Sequence, residues 1–419
     1  MNIAYLLKKK INNSFFEKIL SIVRYFYFLF DNKNLYNFRK NKIDLLIVSN
    51  LVNTNLNQDY YFGNLEKILK KRKINCIKVF RNLSNQKTKF FFKYKKKNFS
   101  LLSKRTKILN ECKYIYIFLR QYFFFKISLK HKLFRKNISF FDYLSIIGNM
   151  RTVDQIIEVI KILNPKCLIF TYEGHPWERL LIHECNKRNI ISIAYQFSTI
   201  SQNKLSIFKN FKKKYNPDYI ATSGNITKNI FLQKKLYSKV FKLGSCKFQN
   251  NEKLKLKQKK ILVAIDSDFV MMQEMLNFTI ELAIKNTNIY FIIRLHPLSI
   301  SNFFYLNFIK NKIKNISNIK LSHNTLKNDL KQSKILIYRE SSICILALNY
   351  NIKIYFFGTE KKLNFFDNKF PNLHIVKDSR DIELMINKKY KKKKYFENYK
   401  KNYFTKFSPN NLIKIINNA

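Results

Sequence analysis

The chain has 419 residues, 46% of them hydrophobic, which is enough apolar material for two or three packed cores and too much for a disordered polymer. Its 80 Lys and Arg against 26 Asp and Glu leave a formal charge of +54, pointing to an anionic partner such as nucleic acid, acidic phospholipid headgroups or phosphorylated sugars. Lys is spread over the whole length beside abundant Asn, Ile, Phe and Tyr, so A/T-rich codon usage accounts for part of the excess and a single basic arm is excluded.

Residues 1–38 read as one or two helices. The run LLKKKINNSFFEKIL breaks its apolar pattern with charge and lacks a small-residue cleavage site, so no signal peptide is expected. Residues 19–30, ILSIVRYFYFLF, are too short to span a bilayer and carry Arg24. This basic, aromatic stretch suits either a helix packed on the domain or a peripheral contact with an anionic membrane.

Asp44–Ser49, DLLIVS, is the first core strand. Tyr60, Phe62, Leu65 and Leu69 then give a helical stripe, and Cys76–Phe80 returns to a strand. Residues 81–105 read as an exposed basic connection and 106–135 as a helix rich in aromatics, with Tyr114, Tyr116, Phe118, Tyr122 and Phe123. A helix over 150–165 follows from the period of Val153, Ile156, Ile157, Ile160 and Leu163, closed by Pro165.

The stretch 166–196, KCLIFTYEGHPWERLLIHECNKRNIISIAYQ, is one βαβ unit: strand Cys167–Thr171, a polar loop, a helix from Trp177, and strand Ile190–Ala194. Ligands in open α/β sheets bind beyond the carboxyl ends of the strands, where Glu173, Gly174 and His175 stand. PDYIATSGNITKNIF gives strand 218–222 and a helix. Between them Ser223 and Gly224 form either an anion or sugar contact or an ordinary N-cap and turn. After a short strand at Val240–Leu243, the charged run Lys247–Lys260 reads as an interdomain linker.

A second domain opens with KILVAIDSD. Strands 261–265, 288–293, 316–320, 334–338 and 351–356 alternate with helices 269–286, 301–311, 325–331 and 341–349. The expected organisation is α/β: two Rossmann-like, doubly wound parallel-sheet domains facing a cleft, at 1–250 and 251–387. A basic tail with a helical segment occupies 388–419.

Two clusters in the second domain carry chemistry. In IIRLHPLS, Arg294 and His296 leave a strand just before Pro297, which fixes the histidine's direction toward a phosphoryl oxygen. In YRESSICILALNY, Ser341 and Ser342 open a helix beside Glu340, an arrangement suited to phosphate oxygens and to ribose hydroxyls respectively. The six cysteines are scattered with no CxxC pair, which favours a reducing cytoplasm over a disulfide framework. No HExxH, P-loop, GxGxxG or GxSxG occurs. Asp266 and Asp268 suit Mg²⁺ or an N-capping turn, and no metal or cofactor is expected beyond a nucleotide-sugar cosubstrate.

Two Rossmann-like domains, an acidic loop in the first, and an HP motif with a later Ser-Ser helix start in the second together resemble the bacterial GT-B glycosyltransferases that use cytidine-nucleotide donors. These are the Kdo- and sialic-acid-type transferases of capsule and lipopolysaccharide synthesis, with CDP-glycerol polymerases more distant. The resemblance implies that His296 with Pro297, and Ser341 with Ser342, contact the donor phosphate, and that Glu173 is the catalytic base. IISIAYQFSTI is similar to a family strand ending in Gln-His-Gly. Here Gln196 is kept and Phe197 and Ser198 replace the rest.

The implied reaction is transfer of a sugar from a CMP-linked donor to a surface glycan or lipid-linked acceptor, on the inner face of the plasma membrane. Glu173 deprotonates the acceptor, and Arg294, His296, Ser341 and Ser342 stabilise the departing phosphate. Glu178, Asp142 and Asp59 are the substitute bases. Two other classes stay open: a polyanion or nucleic-acid binder, against which no RNP, KH or helix-turn-helix pattern appears, and a nucleotide-sugar-modifying enzyme such as an epimerase, which needs no acceptor.

Overall fold

The computed structural model describes residues 38–52, 59–83, 91, 100–103, 106, 108–127, 140–200, 205–247, 260–297, 299–300, 303–339, 341–350, 352–358, 374–376, 398–399 and 401–419. The aromatic stretch at 19–30, Glu340 and the basic run at 388–397 lie outside these residues. Among the described residues no helix is long and apolar enough to cross a membrane.

Two parallel sheets form the molecule. The first has strands β1 (Leu45–Leu51), β2 (Cys76–Asn82), β3 (Leu101–Leu102), β4 (Cys167–Thr171), β5 (Ile191–Gln196), β6 (Tyr219–Thr222) and β7 (Lys239–Lys242). Their spatial order is β3-β2-β1-β4-β5-β6-β7. The second has β8 (Lys260–Ala264), β9 (Tyr290–Arg294), β10 (Ile319–Leu321), β11 (Ser333–Tyr338), β12 (Lys353–Phe357) and β13 (His374–Val376), in the order β10-β9-β8-β11-β12-β13. Every strand pair in both sheets is parallel. The architecture is the expected GT-B-like one: two Rossmann-like sheets across a cleft.

Helices α1 (Leu65–Lys71), α2 (Ile108–Ile127), α3 (Phe140–Leu163), α4 (Pro176–Lys187) and α5 (Asn225–Gln233) belong to the first domain. Helices α6 (Phe269–Lys285), α7 (Phe303–Ile313), α8 (Leu326–Gln332) and α9 (Ile343–Leu348) belong to the second. The strands are apolar on both sides because helices cover both faces. Leu46 and Val48 pack into one core with Leu168 and Phe170. The alternate residues Leu45 and Ile47 join Cys167 and Ile169 on the opposite face. In the second sheet Ile261 and Val263 pack on one side and Leu262 and Ala264 on the other.

Three local readings change. Helix α3 begins at Phe140, ten residues before the expected start at 150. The α2 aromatics divide: Tyr114 is buried and bonds Asp154 of α3, while Tyr116 is exposed. The closing segment returns to the first domain as helix α10 (Asn410–Asn417), where Leu412 and Ile416 pack with Leu45 and Ile47. On the way, Tyr399, Tyr403 and Phe404 join the second-domain core. Residues 399–416 therefore serve both domains.

Candidate functional site

The carboxyl ends of β1, β2 and β4 are tied together by side chains. Asn50 donates to Thr171 Oγ1 at 2.9 Å and accepts from Arg81 Nη1 at 3.2 Å. The Arg81 guanidinium lies 3.8 Å from the Trp177 ring centroid. Burial brings the Arg81 pKa down to about 10, and the nearby Glu178 opposes that shift.

Glu173 stands two residues beyond β4, and the loop that carries it is fixed by one carboxylate. Glu178, in the first turn of α4, accepts the backbone N–H of Gly174 at 2.7 Å and of His175 at 2.8 Å. The Glu173 N–H lies 3.1 Å from both of its oxygens. The bond to the His175 N–H is one half of a capping box. Gly174 has φ +83°, and a Cβ there would lie 2.7 Å from the Ile207 nitrogen, so the loop accepts only glycine. Burial pushes the Glu178 pKa up to about 7, and the His175 charge and the loop N–H groups oppose it. Glu178 thus builds the loop, and Glu173 remains the candidate base.

His175 Nε2 lies 3.4 Å from Glu173 Oε2, and this hydrogen bond holds the imidazole pKa above its ordinary value. Burial drives the Tyr61 phenol far upward, with the charges of Tyr60 and Glu173 adding to the effect. Tyr61, Arg81, Glu173, His175 and Glu178 therefore share one electrostatic cluster. Asp59 is committed elsewhere: Oδ1 accepts from Ser49 Oγ at 2.9 Å and from the backbone of Tyr61 at 2.9 Å and Phe62 at 3.1 Å. Lys78 lies 3.5 Å from its other oxygen.

Three further candidates on this sheet are enclosed. Gln196 ends β5 fully buried; its Nε2 donates to the Ser198 carbonyl, and among the described residues its Oε1 has no hydrogen-bond partner. Ser223 is buried, and its carbonyl accepts from Thr405 N at 3.0 Å. A Cβ on Gly224 would sit 2.1 Å from the Tyr403 carbonyl oxygen. The chain's own residues 402–405 cover Ser223 and Gly224.

Across the cleft, His296 follows β9 and Pro297 sits in the turn closed by Ser299 N donating to the His296 carbonyl at 2.8 Å. Burial lowers the His296 pKa; Asp266 pulls it up, Lys247 pulls it down and Glu173 pulls it up. Glu173 belongs to the other domain, so the two sheets bring the candidate base and the HP histidine into one field. Arg294 is turned to the β10 side, where Nη1 is 2.6 Å from Asp329 Oδ2 and donates to the Asn324 carbonyl at 3.0 Å. Asp268 caps α6 by accepting Met271 N at 3.0 Å, and Asp266 accepts Asp268 N at 3.1 Å, which is the capping-turn alternative. No group of three or more His, Cys, Asp or Glu among the described residues is placed to hold a metal ion.

Ser341 Oγ accepts Ile343 N at 3.4 Å. Ser342 Oγ accepts from Lys247 Nζ at 3.3 Å, a contact between domains. Sequence reasoning missed Lys247, assigning it to the linker, and missed Arg81, assigning it to a connection. The strand-end rule that found Glu173 also covers Arg81, because β2 runs past Phe80 to Asn82. No local signal separates Lys247 from the lysines that follow it.

The fold is shared with solved structures of proteins that hold UDP or a UDP-sugar. UDP-GlcNAc 2-epimerase of Methanocaldococcus jannaschii, in complex with UDP-GlcNAc and UDP, superposes with a TM-score of 0.55 at 14% identity, over 90% of this chain and 99% of that one. MnaA of S. aureus, bound to UDP, gives 0.53 at 11% identity, over 87% and 91%. No family model matches the chain, and no curated protein does. The expected transfer from a CMP-linked donor to an acceptor is corrected by this comparison: the proteins named are a UDP-GlcNAc 2-epimerase and a protein bound to UDP. The GT-B-like architecture stands, because it rests on the two parallel sheets and not on the reaction.

Proposed function

We propose that this chain processes a UDP-linked sugar in the cleft between its two sheets, altering the sugar within the nucleotide-linked molecule as an epimerase does. The observation that supports this is the convergence of Glu173 with His175 from one domain and His296 from the other. Inverting the ring carbon next to the anomeric centre requires one group to remove its proton while the anomeric C–O bond to the diphosphate breaks and takes the electron pair, after which the diphosphate re-adds and another group returns a proton to the opposite face. Glu173 is the candidate base. His296, whose pKa burial lowers, can donate a ring N–H hydrogen bond to a phosphoryl oxygen, and His175, whose protonated form the Glu173 hydrogen bond favours, is the candidate to return a proton. Ser341 and Ser342 offer hydroxyls to the diphosphate. Arg294 contributes by holding the end of β9 through Asp329.

The test has a binding arm and a chemical arm. Calorimetric titration is expected to show UDP binding more tightly than CMP. Incubation of UDP-GlcNAc in D₂O, followed by proton NMR, is expected to show loss of one ring C–H signal without release to an acceptor. Glu173→Gln should slow that exchange by about 10²- to 10⁴-fold while leaving UDP affinity unchanged, because it removes the base and not the nucleotide contacts. Absence of both UDP binding and exchange in the parent chain would overturn the proposal, and exchange within about threefold of the parent would remove Glu173 from the base role.

A further inference from the structure

We infer that Lys247 is the residue that neutralises the diphosphate of the bound nucleotide, reaching it from the first domain across the cleft. The inference deepens the nucleotide-sugar reading above and rests on it. Lys247 follows β7 on backbone that is held in place: Ser245 N donates to the Thr405 carbonyl at 2.9 Å, and Lys247 N donates to Ser245 Oγ at 3.1 Å. Its ammonium lies 4.9 Å from the Tyr60 ring centroid, 5.7 Å from Phe197 and 5.6 Å from Phe404. These rings come from three separate segments, so the charge is positioned from several sides rather than waving on a flexible stem.

One of the three ammonium donors goes to Ser342 Oγ at 3.3 Å. Among the described residues no carboxylate pairs with Lys247, whereas Lys78, Lys166, Lys187 and Lys285 each have one. A partly buried cation held by π-faces and a hydroxyl, with donors to spare, is complementary to an anion. The neighbouring groups fit the same ligand. Ser342 stands beyond β11, and His296 beyond β9 is close enough for the Lys247 charge to act on it. A phosphate meeting these three would touch both domains at once, so its binding favours the closed cleft.

The test compares UDP with uridine, which lacks the phosphates, by calorimetry. Lys247→Met keeps the apolar stem and removes the charge; Lys247→Gln also keeps a donor for Ser342. Both are expected to weaken UDP binding by about ten- to a hundredfold, to leave uridine binding within about twofold, and to be rescued in Lys247→Arg. Circular dichroism of each variant establishes that it is folded, and the two neutral variants differ enough in shape that one folded example decides the matter. UDP affinity within about threefold of the parent in a folded neutral variant overturns the assignment while leaving the nucleotide reading intact. A parent chain that binds no UDP overturns both together.

Discussion

Glu178→Ala isolates the carboxylate on which the candidate base loop hangs. The side chain is 1% exposed and accepts three backbone N–H groups, those of Glu173, Gly174 and His175. At about 1.5–2.5 kcal/mol for a bond to a charged acceptor, the three contribute roughly 5–7 kcal/mol before desolvation. Burial works against them: the pKa of about 7 is what remains after these bonds have already offset part of the cost of desolvating the carboxylate. Glu178→Ala removes both the bonds and that desolvation cost and leaves three loop N–H groups without their acceptor, so a net loss of about 2–4 kcal/mol is expected. Urea unfolding of the parent and variant at pH 8, read at the Trp177 fluorescence transition, measures it, since Trp177 is the chain's single tryptophan and lies in α4. Glu178→Gln, which keeps one acceptor oxygen, should lose less. A loss below about 1 kcal/mol in Glu178→Ala would refute the reasoning, because it would mean that the loop is held by something other than this carboxylate.

Gly224→Ala should cost about 1–3 kcal/mol and expose the segment near Tyr403 to limited proteolysis, since a backbone oxygen 2.1 Å from the new Cβ has to move; unchanged stability and cleavage would show that residues 402–405 do not press there. The histidines give opposite pH signatures. His175, raised by its bond to Glu173, should titrate above 6.5 by histidine-resolved NMR and fall back toward it in Glu173→Gln, while His296 should titrate below 6.5. In sign, the His175 contribution to stability is fully present below the ordinary value and is lost as pH rises through the folded one. That of His296 is present above the ordinary value and is lost as pH falls through its lowered one. Titration of both at the ordinary value would argue that neither environment is formed in solution.

The alternation of strand and helix was readable because both sheets are covered on both faces, so their strands appear as apolar runs such as DLLIVS and KILVA. Glu173 and His296 were readable for a related reason: in a parallel sheet every strand end points to the same edge. The start of α3 was not, because Gly148 and Asn149 look like a break. Among the described residues nothing lies within 4 Å of a Cβ placed on Gly148, and this helix tolerates the glycine at a cost of about 1 kcal/mol. Ser223–Gly224 gave the turn signal but not what covers it, which comes from residues 402–405, far away in the chain. Lys247 is invisible to composition for the same reason: its meaning lies in Tyr60, Phe197, Phe404 and Ser342, none of them local. The reaction class was not legible because one scaffold can host different chemistries, and strand-end histidines and serines suit the phosphates of a nucleotide in any of them.

The return of α10 to the first domain sets an order of events during synthesis. Leu412 and Ile416 lie in the same core as Leu45 and Ile47, and they are made more than 360 residues later. The first domain therefore leaves the ribosome with a face of its sheet still lacking that cover, and waits while the whole second domain emerges. The contact is among the longest-range in the chain, so its loop-closure cost falls late, when both sheets already exist as bodies to be brought together. A nascent chain stalled before residue 410 would present an apolar patch at the rim of its first sheet, the kind of surface that chaperones bind and that drives aggregation.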